Sequence, residues 1–265
     1  MRKYHGVILH RSKDPHGIIE IAEDGIIRSL HFGNAVRQSA TDLNRPAYPV
    51  LAYTRAMLAG LLFQPAPRRA LLIGLGGGSL AKFLLRYCED CLVEAVEHRA
   101  TVVKLAHGYF LLPDDPRLRI HVADGGNFVQ QAAEAGGAHY DLILVDAYDG
   151  AGMSDAMAGA AFLAACRQLL SPDGVLVCNL WGNDRPRSIE VQRRLQHCFG
   201  AAPRLLTAEG TANLITLSVR RPGHADKAIA ARASALQVRT GVDFVRLSRA
   251  LRRRRPSLLD LLFTC

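Results

Sequence analysis

From Arg69 onward, short apolar runs alternate with stretches in which apolar residues recur at helical spacing. The runs at 70–74, 92–96, 118–122, 140–145 and 174–180 are rich in β-branched residues and leucine and too short for helices, so they predict strands. Helices are expected between them, at 79–88, 99–110, 125–135, 155–170 and 187–198. This alternation predicts an α/β fold in which helices cover both faces of a mostly parallel sheet. Pro172-Asp173-Gly174 marks a tight turn into the fifth of these strands. The pattern then changes to two runs, Pro203 to Thr207 and Asn213 to Val219, joined by Ala-Glu-Gly-Thr-Ala, which predict an antiparallel hairpin closing the sheet.

The flanks read differently. Gly17-Ile18-Ile19-Glu20-Ile21, the pair Asp24-Gly25 and the run Ile26 to Phe32 predict strand, turn and strand in a small β-subdomain over residues 1–45. Residues 46–63 have a helical pattern that Pro65-Ala66-Pro67 breaks before the first core strand. Beyond the α/β domain, at 46–221, residues 222–265 form a basic helical extension. Phe244, Leu247 and Leu251 fall at helical spacing, and Thr240-Gly241 acts as a breaker.

The chain has 265 residues, 49% hydrophobic and 22% charged, which is enough apolar material for a large core. No apolar run approaches the ~18 residues of a membrane-spanning helix, and no apolar leader follows the basic start Met1-Arg2-Lys3. A soluble cytoplasmic protein is expected. The formal charge of +9 sits in one place. Between Arg220 and Arg255 there are eleven basic residues and two acids, and the rest of the chain is balanced. Nucleic-acid binding by the body of the protein is therefore not expected; the segment 220–255 is the one candidate contact, and its run Arg252 to Arg255 has the simpler reading of a solvated face before a last short helix. Cys88-Glu89-Asp90-Cys91 spells a C-x-x-C, but no second pair or histidine ligand spacing accompanies it, so no metal is expected.

Leu71-Leu72-Ile73-Gly74-Leu75-Gly76-Gly77-Gly78-Ser79 reads as a buried strand, a glycine turn and a helix start. Such a turn lets backbone N–H groups approach a ligand closely. The spacing is not the full G-x-G-x-x-G of dinucleotide sites, and no Lys-Ser/Thr follows for a nucleoside triphosphate. Glu97 closes the second strand, where an acid can accept from ribose hydroxyls. Asp124-Gly125 follows the third, in reach of an adenine amino group, and Asp146 ends the fourth. Strand ends of an open α/β sheet meet at one crevice, so together these residues predict a nucleoside site, although Glu97 and Asp124 taken singly could each be helix caps.

These residues carry a resemblance. The glycine turn, Val96-Glu97, the run Asp115 to Gly125 and the run Tyr140 to Asp149 are similar to the spermidine synthases, the polyamine aminopropyltransferases, within the class I methyltransferase fold. The resemblance implies a Rossmann-like methyltransferase-type sheet and a homodimer. As co-substrate it implies decarboxylated S-adenosylmethionine held by Gly74, Gly76, Gly78, Glu97, Asp124 and Gly125. It implies Asp146 as general base, and Asp149 and Tyr53 at the acceptor amine; Trp181, past the fifth strand, stands where it could line the acceptor pocket. The segment from Gly150 to Met157 is expected to act as a lid. Where that family carries an acid in the glycine turn this chain has none, and Arg55 follows Tyr53-Thr54. Two alternatives therefore stay open, an S-adenosylmethionine-dependent methyltransferase and a non-catalytic nucleoside-binding homologue.

Overall fold

The computed structural model describes residue 4 and residues 6–137, 139–146, 155–221 and 226–253. Strands β5 (Arg69–Ile73), β6 (Leu92–Glu97), β7 (Leu118–Val122), β8 (Tyr140–Val145) and β9 (Leu170–Trp181) all run parallel, in the order β7-β6-β5-β8-β9. On the far side of β9, β11 (Asn213–Val219) and β10 (Arg204–Thr207) pair antiparallel as expected, and the short β12 (Arg252–Arg253) adds to β10. Their periodicity explains the layering. Along β5, Ala70 and Leu72 enter one buried cluster while Leu71 and Ile73 enter the other. The same alternation sends Leu142 and Leu144 of β8 to the first face, and Ile143 and Val145 to the second. A strand buried on both sides needs apolar residues at every position, hence the unbroken runs.

Helices α2 (Ser79–Tyr87), α3 (Ala100–Phe110), α4 (Gly125–Glu134), α6 (Ala160–Leu169) and α7 (Arg185–Phe199) flank this sheet. The stretch expected as one helix at 46–63 is instead α1 (Ala52–Met57) followed by a tighter 3-10 turn, Leu58–Leu62. Close packing is the reason: a Cβ on Gly60 would lie 2.7 Å from Leu142 Cδ1 and 2.9 Å from Val177 Cγ2, so this turn presses directly onto β8 and β9. The helix expected at 155–170 is divided into α5 (Asp155–Ala158) and α6, with Gly159 extended between them. The Pro172-Asp173-Gly174 turn falls inside β9. Leu170 already pairs with Tyr140, and pairing resumes only at Leu142 with Val175, so the turn is an irregularity within the strand rather than its start.

The N-terminal residues form a separate antiparallel sheet, β1 (Val7–Asp14), β2 (Gly17–Asp24), β3 (Ile27–His31) and β4 (Ser39–Asp42), in sequence order. The expected turn is present, with Gly25 at φ 58° and Asp24 paired to Ile27. Ile19, Ile21 and Leu30 of this sheet pack on Val102, Leu105 and Phe110 of α3. Two buried cations fasten it further. Arg99 donates to both carboxylate oxygens of Asp14, at 2.9 and 2.7 Å, and Lys82 of α2 donates to the Thr41 hydroxyl at 2.8 Å and the Phe110 carbonyl at 2.5 Å. Burial without a carboxylate partner lowers the Lys82 amine to about 7.

The basic extension packs on the core, while the side chains of the run Arg252 to Arg255 lie outside what is described. Ile229, Ala233 and Leu236 of α8 (Asp226–Thr240), Val242, and Phe244 of α9 (Phe244–Ala250) belong to the first core cluster. Its arginines serve the same attachment: Arg232 donates to the carbonyls of Leu62 and Phe63, at 3.1 and 3.0 Å, and Arg246 to Glu209 at 2.7 Å.

Candidate functional site

A cavity of about 1090 Å³ opens over the carboxyl ends of β5, β6, β8 and β9, with residues of the N-terminal sheet and its loops above. The order of the strands puts β5 between β6 and β8, so the chain leaves β5 and β8 in opposite directions and a crevice is left at their ends. Gly74, Gly76, Glu97, Asp124, Gly125, Asp146, Tyr53 and Trp181 all line this cavity, so the structure brings together the residues singled out on four strand ends.

The glycine turn owes its shape to positive φ at Gly74 (97°) and Gly76 (54°), where a side chain would be strained. Gly78 does not line the cavity. It begins α2 at φ 72°, and a Cβ there would lie 2.7 Å from Leu112 Cδ1, so its role is to let the helix start pack against Leu112. Gly77, where an acid is absent, is equally crowded: a Cβ would lie 2.8 Å from Ser39 Oγ and 2.9 Å from Phe110 Cδ1.

Glu97 is buried and holds the turn from the neighbouring strand. Its Oε2 accepts from the N–H groups of Leu75 and Gly76, at 3.1 and 3.4 Å, and its Oε1 accepts from Arg99 N–H at 3.0 Å at the start of α3. Glu97 is not itself a helix cap, since Arg99 is the N-cap of α3, but from the cavity wall it ties the glycine turn to the start of that helix. Asp124 does combine a capping role with a place in the cavity wall. It is the N-cap of α4, its Oδ1 accepting from Asn127 N–H at 2.8 Å, and it is exposed to the cavity.

Asp146 is half-buried just beyond β8, its backbone N–H donating to Ile73 O at 2.8 Å. Burial raises its carboxyl to about 6, against the hydrogen bonds of Asn179 and Tyr53, which favour the ionised form. Asn179 Nδ2 donates to Asp146 Oδ1 at 2.9 Å, and Asn213 Nδ2 donates to Asn179 Oδ1 at 3.0 Å. The Tyr53 hydroxyl also reaches the Gln38 carbonyl, at 2.9 Å. Arg55, beside Tyr53 in the chain, turns away from the cavity and donates to the carbonyls of Pro49 and Val50, at 2.9 and 2.5 Å. Trp181, 42% exposed at the end of β9, and Asp184 at the start of α7 form the side wall. Asp149 and residues 150–154 of the expected lid lie outside the described residues; Met157 of α5 does line the cavity.

Asn179 and Asn213 are the site residues that sequence reading missed. The available signal was an asparagine interrupting the apolar run Val175-Leu176-Val177-Cys178-Asn179-Leu180, since a buried strand position rarely takes an amide without a polar partner. Cys88 and Cys91 lie away from the cavity, near the amino end of β6, where burial pushes their thiols up to about 11 and about 12. Among the described residues no group of three His, Cys, Asp or Glu side chains is placed to hold a metal, and no helix is long and apolar enough to cross a membrane.

The comparisons with known proteins agree with this geometry. The family model for the spermine/spermidine synthase domain matches residues 51–202. A polyamine aminopropyltransferase of Chromobacterium violaceum is 36% identical over 229 residues, 85% of this chain and 86% of that protein. Among solved structures, a probable spermidine synthase from Corynebacterium glutamicum superposes with a TM-score of 0.70 at 18% identity, covering 96% of this chain and 97% of the other. Human Methyltransferase-like protein 13, in complex with SAH, superposes with a TM-score of 0.65 at 27% identity, over 79% of this chain and 99% of its own. The matched domain runs from α1 to the end of α7 and contains the glycine turn, Glu97, Asp124 and Asp146, and on that footing the chain belongs to the spermine/spermidine synthase family.

Proposed function

We propose that the protein transfers an aminopropyl group from decarboxylated S-adenosylmethionine to an amine nitrogen of a di- or polyamine, with Asp146 as general base. The residues present fit such a co-substrate: the turn at Gly74 and Gly76 offers close backbone approach, Glu97 and Asp124 offer carboxylate oxygens for ribose and adenine, and the volume is ample. The observation that carries the reading is the Asp146 carboxyl, in the cavity wall beside the glycine turn and raised to about 6. An alkyl ammonium has a pKa near ~10.4 and cannot attack until it loses a proton. Asp146 holds the cation as a carboxylate and accepts that proton, which frees the nitrogen lone pair; the lone pair then forms the new C–N bond as the C–S bond to the sulfonium breaks, leaving a neutral thioether and a protonated product amine. Tyr53 and Trp181, both in the cavity wall, bound the acceptor.

The test is steady-state transfer to putrescine, cadaverine and spermidine by the wild type and Asp146→Asn. A loss of about 10²–10⁴-fold in kcat is expected; an unaltered rate removes Asp146 from the reaction. A methyl-transfer reading draws on one observation, the acid-free turn whose Gly77 is hemmed in by Ser39 and Phe110. Calorimetry separates the two: binding of S-adenosylmethionine alone, with no heat from its decarboxylated form, selects methyl transfer.

A further inference from the structure

We propose that Asn213 is a positioning residue for the reaction, fixing through Asn179 the way the Asp146 carboxyl is held. The inference rests on the assignment of Asp146 as base. In the antiparallel pairing of β9 with β11, Asn213 lies opposite Trp181 and Ile215 opposite Asn179, so the two asparagines are diagonal neighbours on one face of the sheet. Both are buried, Asn179 at 2% and Asn213 at 8% exposure, and both reach the cavity wall. The Asn213 backbone is fixed at the hairpin turn, its N–H donating to Thr211 Oγ1 at 3.2 Å and its carbonyl accepting from Ala208 N–H at 2.9 Å.

The chemistry of the groups gives this chain of bonds a direction. A carboxylate only accepts, so Asn179 must turn its NH₂ group to Asp146, as it does at 2.9 Å, and this points its carbonyl oxygen at Asn213. Asn213 answers with its own NH₂ at 3.0 Å. An amide rotated by a half-turn would present oxygen to Asp146 instead, an arrangement that suits only the protonated acid. By donating to the Asn179 oxygen, Asn213 selects the rotamer that keeps Asp146 ready to take a proton. Among the described residues, the charged and titratable groups that line the cavity with Asp146 are His16 from the turn between β1 and β2, Arg37 from the loop after β3, Tyr53 from α1, Glu97 from β6 with His98 and Arg99 just after it, Asp124 from the start of α4, and Asp184 and Arg187 from the start of α7. Of these, Tyr53 hydrogen-bonds the carboxyl.

Asn213→Asp tests the direction. An aspartate there can only accept, so Asn179 must turn its NH₂ toward it and its oxygen toward Asp146. The expected result is an acid limb of kcat/KM displaced upward by about one pH unit or more. Activity at pH 6 should fall roughly fivefold or more and recover toward pH 9. Asn213→Leu, which removes the donor without adding charge, should displace the limb in the same direction by less. The Asn213→Asp displacement should persist in 1 M salt, where simple charge repulsion across the cavity is weakened. The carbon resonance of Asp146 in the free protein should titrate with the same displacement, independently of turnover. An acid limb unmoved in both variants, a displacement of Asn213→Asp that salt abolishes while Asn213→Leu shows none, or a uniform loss at all pH values overturns the proposal. Should Asn213→Asp fail to fold, Asn213→Leu decides alone. If Asp146→Asn is inactive while these variants behave as wild type, the base assignment stands and the positioning role falls; if Asp146→Asn is fully active, the base assignment itself has failed.

Discussion

Replacing Phe244 by alanine measures how far the C-terminal extension belongs to the core. The ring is fully buried on α9, which packs against the 3-10 turn Leu58–Leu62 and β10, in one cluster with core residues of β5 and β8. Removing the ring from water is worth about 1.5–3 kcal/mol. The cavity left behind adds to this, because the surrounding Leu-rich elements are held by the sheet and relax only in part, so a total of about 3–5 kcal/mol is expected. That is a large share of the roughly 5–15 kcal/mol by which a domain is stable. The assay is urea unfolding at constant m-value, with Val238→Ala as control, since Val238 is 89% exposed on the neighbouring helix. The control should change stability by less than about 0.5 kcal/mol. A loss below about 1 kcal/mol for Phe244→Ala, indistinguishable from the control, would refute the claim that the extension is part of the core.

In the wild type, kcat/KM should fall with unit slope below about pH 6, the value to which burial raises Asp146; a limb near pH 4 would mean that the carboxyl is solvated or not used. Glu97→Gln replaces one accepting oxygen by a donor, so one of the turn or helix N–H groups must face NH₂; a loss of about 1–3 kcal/mol in stability, with weaker nucleoside binding by calorimetry, is expected. Lys82, at about 7 when folded against a usual 10.5, leaves the unfolded chain binding more protons between these values. Stability should therefore rise as pH rises from about 7 to 10.5, by on the order of 4 kcal/mol, and Lys82→Met should flatten that slope in thermal melts across the range.

Most of the sheet could be read from the chain because burial on both faces leaves a strand no choice of residue type, as in Leu142-Ile143-Leu144-Val145. What was not legible depends on neighbours distant in sequence. The break of the 46–63 helix into a 3-10 turn follows from Gly60 meeting Leu142 and Val177, a contact that no local pattern announces. Glycines and acids at strand ends pointed to the site, since a ligand crevice at that edge is a property of the fold. Gly78, adjoining them in the same turn, proved to serve a contact with Leu112 instead. Asn213 sits in a hairpin far down the chain, and only the diagonal pairing of β11 with β9 delivers it to Asn179.

The cavity has a floor and a roof of separate origin. Strand-end acids and the glycine turn make the floor, and changing any of them disturbs the sheet as well. The roof includes the loop of Asn34 to Gln38, which connects two strands of the smaller sheet and carries little of the core. Substitutions in that loop therefore reshape one wall of the cavity while leaving intact the strand ends that carry the glycine turn and the acids.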